Sequence, residues 1–214
     1  MGKSVTDIRK DYRLQSLSES DIAANPVQQF TTWWNDVLTS EISEPNAMTL
    51  ATASSDGLPS ARIVLLKGFD DDGFVFFTNY NSFKGMQLQE NPRACLVFFW
   101  KELERQVRVM GIIEMLTDTE NDEYFNSRPE GSRLSAIASP QSQVVDNREW
   151  LESQVDQLTE QLSGKTIARP EHWGGYRVRP AIIEFWQGRS NRLHDRLQYT
   201  LTEEGTWKIE RLAP

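Results

Sequence analysis

Apolar residues at Val27, Phe30, Trp33, Trp34, Val37 and Leu38 recur at the spacing of one helical face, and Asn25-Pro26 supplies a cap and a first-turn residue just ahead of them. The pattern then shifts to short apolar or alternating runs. Strands are predicted over 47–53 and 60–67, parted by a turn on Asp56-Gly57, and over 74–78 after Asp70-Asp71-Asp72-Gly73. Two more, 93–100 and 104–115, flank Lys101-Glu102-Leu103. Asn81 is expected to cap a short helix through Gln89, stopped by Asn91-Pro92. Five strands with hairpin turns and one short helix predict a mainly β (α+β) chain built as an antiparallel barrel, not a βαβ sheet.

Further on, Thr117-Asp118-Thr119-Glu120 reads as a capping box opening a helix that ends near Arg128-Pro129. Asp146 to Glu149 reads the same way, ahead of a stripe of Leu151, Val155, Leu158 and Leu162 closed by Gly164. After Trp173-Gly174-Gly175, strands are predicted over 176–186, 192–201 and 206–212. Residues 1–24 are polar, with Arg9, Lys10, Asp11, Tyr12 and Arg13 clustered, and read as a mobile arm; 25–214 reads as a single domain.

Charge changes this picture. The 214 residues carry a formal −8, which argues against bulk nucleic-acid binding. Yet 169–196 holds six arginines (169, 177, 179, 189, 192, 196) against Glu171, Glu184 and Asp195, a local +3. Such a cluster in an acidic chain suits a small anion better than a polymer. The single cysteine, Cys95, lies in an apolar run and reads as a buried structural thiol, which excludes an internal disulfide. No apolar run approaches ~20 residues and no signal-peptide core is legible, so a soluble, cytoplasmic protein without a membrane partner is expected.

Within the basic stretch, an extended 191–197 would place Arg192, His194 and Arg196 on one face, where like charges call for an anion. A solvated edge strand protected by charge is the alternative. Arg62 and Lys67 close the two ends of a buried-type strand. The run from Phe77 and Thr78 into Ser82 and Lys84 combines a helix start with a cation, a weak anion site. Gln106 could hold the polar edge of a heterocycle. Tyr124 and Arg128 share a helix face with Ser132 just beyond, a group suited to phosphate. No nucleophile triad and no metal-binding motif is present, so a cofactor is expected to supply the chemistry.

Together these residues carry a resemblance. Arg62-Ile63-Val64-Leu65-Leu66-Lys67, Glu104-Arg105-Gln106-Val107, Tyr124-Phe125-Asn126-Ser127-Arg128-Pro129, Gln141-Ser142, Trp173-Gly174-Gly175, Glu184-Phe185-Trp186-Gln187-Gly188 and Arg192-Leu193-His194-Asp195-Arg196 are similar to the pyridoxine (pyridoxamine) 5′-phosphate oxidase family, in order over nearly the whole chain. The resemblance implies an FMN-binding split antiparallel β-barrel with peripheral helices. It also implies a homodimer with FMN at the subunit interface. The implied reaction oxidises pyridoxine or pyridoxamine 5′-phosphate to pyridoxal 5′-phosphate, with hydride passing from C4′ to flavin N5 and O2 becoming H2O2. By motif it implies FMN contacts from Arg62, Lys67, Phe77, Thr78, Lys84, Gln106, Gln141, Ser142, Trp186 and Arg196. Lys67, Tyr124, Arg128 and Ser132 would hold the substrate phosphate, Arg192 and His194 would lie over its ring, and Arg9 and Tyr12 would close the site. The family usually has Arg-Lys where this chain has Phe83-Lys84, so one phosphate cation is missing. Two rivals are a sister flavin oxidase of the phenazine-pathway type and a non-catalytic FMN- or pyridoxal-phosphate-binding protein. Lys67, Tyr124 and Arg128 argue against the first. Arg192 with His194, and the Arg9–Tyr12 lid, favour turnover over the second.

Overall fold

In the computed structural model, which describes residues 4–7 and 10–214, Asn25 caps helix α1 (Pro26–Leu38) by accepting the Val27 and Gln28 N–H groups at 2.7 and 3.3 Å. The apolar stripe buries Val27, Phe30, Trp33 and Val37, whereas Trp34 is half-buried and Leu38, at the last turn, is exposed. Strands β1 (Ala47–Ala53), β2 (Pro59–Leu65), β3 (Gly68–Asp70) and β4 (Gly73–Asn79) lead to α2 (Phe83–Glu90). Then come β5 (Arg93–Trp100), β6 (Arg105–Met115), α3 (Asp118–Ser127), α4 (Glu130–Ala138) and α5 (Arg148–Leu162). The chain ends with β7 (Trp173–Gln187), β8 (Asp195–Leu201) and β9 (Trp207–Arg211). The sheet order is β2-β1-β5-β6-β7-β4-β3, with β8 paired to β7 and β9 to β8. One long strand, β7, serves two antiparallel partners: its first half pairs with β4 (Phe77↔Gly175) and its second with β8 (Gln187↔Asp195).

Two compact units emerge, each drawn from separate pieces of chain. The first comprises Met1–Leu50, Cys95–Gly111 and Pro180–Pro214, the second Ala51–Ala94 and Ile112–Arg179. Aromatic packing fills the first: Phe30 lies 5.2 Å from Phe98 and Trp33 5.2 Å from Phe185, which meets Tyr199 at 5.5 Å. Each such ring withdrawn from water contributes about 1.5–3 kcal/mol. In the second unit, Phe125, Leu134, Ile167 and Trp173 form a core against which Val155, Leu158 and Leu162 of the α5 stripe pack.

Several expectations shift in detail. Ser82, not Asn81, caps α2, accepting the Gly85 N–H, because Asn79 turns back to take the Asn81 N–H at 2.8 Å. Gly85 is required there, since a Cβ would stand 2.1 Å from the Tyr80 carbonyl oxygen. Thr117 and Glu120 form the full capping box of α3, but Asn147, not Asp146, caps α5. Helix α4 starts at Pro129 without any side-chain cap. Lys67 lies beyond the end of β2. The largest departure is in the basic stretch. Ser190–Arg192 is a 3-10 turn, Asn191 and Arg192 have left-handed φ of 56° and 62°, and β8 begins only at Asp195. The expected shared face of Arg192, His194 and Arg196 does not form, because the chain must reverse between Gln187 and Asp195 to pair them.

Candidate active site

The second unit holds a cavity of about 790 Å3 lined by four cations, Arg62, Lys67, Lys84 and Arg128, and by no carboxylate among the described residues. β2 alternates half-buried with exposed positions, and half-buried Arg62, between exposed Ala61 and Ile63, lines this space. Lys84, in the first turn of α2, donates to Thr78 Oγ1 at 3.2 Å, Ser82 Oγ at 3.4 Å and Gln141 Oε1 at 3.0 Å. Burial pulls its ammonium pKa down and the Arg62 charge pulls it further; burial likewise lowers that of Arg62. Two neighbouring cations whose charge is disfavoured by burial form a site that an anion would relieve.

A second group faces the same space. Phe77, Tyr124 and Trp173 stack nearly parallel, Phe77 to Tyr124 at 3.9 Å and Phe77 to Trp173 at 5.5 Å. The Arg128 guanidinium, at the C-cap of α3, lies 4.6 Å over the Trp173 ring, and Lys67 Nζ 5.9 Å over Tyr124. Arg128 Nη1 is buried without a hydrogen-bond partner, and burial lowers the Arg128 pKa. A buried guanidinium N–H without an acceptor is costly, so this atom marks a place for an absent anion. Ser132 lines the cavity just beyond, in the first turn of α4.

The first unit holds a separate cleft, lined by Lys10, Asp11, Tyr12, Arg189, Asn191, Arg192 and His194. Trp186 and His194 rings meet at 4.6 Å and Tyr12 lies edge-on to Trp186 at 5.8 Å. Gly188 permits that approach: a Cβ there would lie 2.7 Å from Tyr12 Cγ. The Arg189 N–H donates to His194 Nδ1 at 3.1 Å, which leaves Nε2 for a ligand. Burial, then the Arg192 charge, lower the His194 pKa against an opposing pull from Asp195. Arg192 is exposed and has no ion pair among the described residues. The Tyr12 segment is tied down by Glu104, a buried carboxylate whose Oε2 accepts the Arg13 and Leu14 N–H groups at 2.8 and 3.1 Å while Oε1 meets Lys10 Nζ at 3.2 Å.

Of the residues expected to bind FMN or substrate phosphate, the second-unit cavity gathers Arg62, Lys67, Phe77, Thr78, Lys84, Tyr124, Arg128, Ser132 and Gln141. The cleft gathers Tyr12, Arg192 and His194. Ser142 follows Gln141 with φ 71° and is exposed outside the cavity lining. Gln106 and Trp186 are half-buried in the first unit. Arg196 is not an unpaired cation: Glu184 takes its Nε and Nη2 at 2.9 and 3.1 Å and raises its pKa against the opposing effect of burial, and Ala213 O takes Nη1. Arg9 lies outside the described residues. Phe83 opens α2 half exposed and adds no charge. Sequence reasoning missed Trp173 as the platform under Arg128, and Glu104 and Glu184 as buried anchors. Two acids inside apolar strand surroundings were the available signal for the last pair.

Comparison with known proteins adds the following. The family described as "Pyridoxamine 5′-phosphate oxidase" matches residues 35–162, and "Pyridoxine 5′-phosphate oxidase C-terminal dimerisation region" matches 173–214. A "Pyridoxine/pyridoxamine 5′-phosphate oxidase" of Nostoc punctiforme is 56% identical over 214 residues, all of both chains. One from Cupriavidus metallidurans is 53% identical over 98% of this chain and 99% of the relative. Among solved structures, PhzG from Burkholderia lata in complex with tetrahydrophenazine-1-carboxylic acid has a TM-score of 0.87 at 32% identity, covering 94% of this chain and 99% of that one. A pyridoxamine 5′-phosphate oxidase-related, FMN-binding protein of Nostoc punctiforme has a TM-score of 0.69 at 17% identity over 86% of this chain and 97% of that one, a likeness of fold. The expected fold class, a split antiparallel barrel with peripheral helices, is the fold these relatives share.

Proposed function

Because the chain belongs to the pyridoxine/pyridoxamine 5′-phosphate oxidase family, we propose that it oxidises pyridoxine 5′-phosphate and pyridoxamine 5′-phosphate to pyridoxal 5′-phosphate, with FMN as cofactor and O2 as electron acceptor. The observation that carries this reading is the cavity with four cations and no carboxylate, which contains two separate anion-receptive groups. Two phosphates, one of the cofactor and one of the substrate, fit that arrangement. The volume suits ligands of this size. The chemistry supplied by bound FMN is acceptance of a hydride from substrate C4′ at flavin N5 and return of the electron pair to O2 as H2O2.

The chain's own residues bind and orient. Arg62 and Lys84, with Thr78 and Gln141, hold the FMN phosphate end by charge-assisted hydrogen bonds. Lys67, Tyr124, Arg128 and Ser132 clamp the substrate phosphate, with the unpartnered Arg128 Nη1 as the donor that gains most. Arg192 pins the pyridine ring. His194, with Nδ1 accepting the Arg189 N–H, would offer Nε2–H to the substrate. Arg9 and Tyr12 close over the ring, and closure orients the reactants and excludes water. The match of 173–214 to a dimerisation region supports a homodimer, and we place FMN at its interface and the enzyme in the cytoplasm. Among the described residues no helix is long and apolar enough to cross a membrane.

The test is anaerobic mixing of the yellow holoenzyme with pyridoxine 5′-phosphate. Bleaching of the flavin band that reverses on admitting air is expected. An unbleached flavin would overturn the oxidase reading. A phenazine-type oxidase would need no phosphate clamp, so equal rates with pyridoxine lacking the phosphate would favour that rival.

A further inference from the structure

Behind Arg62 lies a buried polar relay that no binding role accounts for. Its guanidinium donates through Nη1 to Thr52 Oγ1 at 2.6 Å and through Nη2 to Ser60 Oγ at 2.5 Å. Both hydroxyls lie 2.6 Å from the same atom, Oε1 of Gln87 on α2. Thr52 and Gln87 are each almost wholly buried. A guanidinium can only donate, so each hydroxyl oxygen accepts from Arg62 and must send its single proton elsewhere. Among the described residues the acceptor both share is the Gln87 carbonyl oxygen, 2.6 Å from each, against 3.3 Å between the two hydroxyls. The shorter contacts give the relay its direction: Arg62 N–H to hydroxyl to Gln87. Turning the amide over would aim Nε2–H at oxygens already receiving Arg62 protons and leave both hydroxyl protons without Oε1. Keeping it in place leaves Gln87 Nε2 buried and unpartnered, a cost of the kind found where an orientation is imposed by its neighbours.

We propose that Gln87, acting through Thr52 and Ser60, is the positioning residue that holds the Arg62 guanidinium in register for the FMN phosphate. This rests on reading the cation-lined cavity as the FMN site. Two of the guanidinium nitrogens are committed backwards, which restrains the plane of the fork and so sets the direction in which its charge is presented to an anion. The relay acts on the phosphate end alone; the isoalloxazine ring does not depend on it.

Titrating apoprotein with FMN and with riboflavin, which lacks the phosphate, separates these effects by quenching of flavin fluorescence. Gln87→Leu and Thr52→Val are each expected to weaken FMN roughly tenfold, the worth of a charged hydrogen bond, and to leave riboflavin affinity unchanged. Thr52→Ser, which keeps the hydroxyl, should bind FMN as the parent does. The double variant should be little worse than the poorer single one, since both cut one relay. Equal losses for FMN and riboflavin would show a merely structural role and overturn the proposal. Parental FMN affinity in both variants, with Arg62→Ala still weakened, would overturn the relay and leave the FMN site standing. Should Arg62→Ala itself bind FMN normally, the site reading falls and the relay with it.

Discussion

Replacing Arg128 with methionine should pull binding and stability in opposite directions. The side chain has a buried, unpartnered Nη1, its pKa is lowered by burial, and its planar head rests 4.6 Å over Trp173. Without ligand, the unmet donor costs about 1–3 kcal/mol, and the cation–π contact returns about 0.5–2 kcal/mol. Methionine keeps an apolar stem on the indole and removes the unmet donor, so the ligand-free protein should gain up to about 1 kcal/mol. For a chain of this size that is a rise of roughly 2–4 °C in Tm. With substrate, the variant loses a charged hydrogen bond worth about 1.5–3 kcal/mol, or roughly 10- to 150-fold in KM. Differential scanning fluorimetry of apoprotein and initial rates of O2 uptake measure the two sides. Pyridoxine without its phosphate serves as control, and its KM should not move. A lower Tm together with an unchanged KM for the phosphorylated substrate would refute the reasoning at both ends.

Other outcomes follow from the first unit. Glu104→Ala leaves the Arg13 and Leu14 N–H groups without their buried acceptor, a local loss of about 1–3 kcal/mol. Timed trypsin digestion read by mass spectrometry should show faster cleavage after Lys10 and Arg13; an unchanged rate would mean the latch holds nothing. Gly188→Ala places a methyl 2.7 Å from Tyr12 Cγ, so KM should rise several-fold through displacement of Tyr12, whereas a parental KM would show that Tyr12 does not close the site. His194 has a folded-state pKa below its ordinary 6.5, so the unfolded chain binds more protons in that window and stability rises with pH. The contribution is complete above 6.5 and is lost as pH falls through the folded value, where Nδ1 also stops accepting the Arg189 N–H. Urea midpoints between about pH 5 and pH 8 should lose part of this slope in His194→Gln; identical profiles would count against it.

Local chemistry made much of the fold legible. Asn25-Pro26 and Thr117 with Glu120 announce helices because a cap needs only residues three or four apart. The cavity residues were reached through the motifs that carry the family resemblance, and nine of them do line one space. What stayed hidden depends on distant partners or on backbone geometry. Arg192 adopts φ 62° although nothing in its own sequence favours it, because the pairing of Gln187 with Asp195 imposes the reversal. Helix α4 has no side-chain cap to read. Arg196 looked like a free cation only because Glu184, its partner on a neighbouring strand, is 12 residues away. Gln87 and Thr52 are 35 residues apart and neither carries charge.

The double service of β7 also sets an order of events during folding. Its contacts with β8 are local, as in the Arg196–Glu184 pair 12 residues apart, whereas contacts with the β4 region span the chain, as in Tyr80 to Gly175, 95 residues apart. Short loops close first and long ones slowly. The C-terminal meander should therefore assemble early, and Trp173 and Phe77, which face the cation-lined cavity from β7 and β4, should come together late. The cation-lined cavity would then be complete only after most of the sheet is in place, so capture of the proposed flavin would be a closing event of maturation and not a nucleus for it.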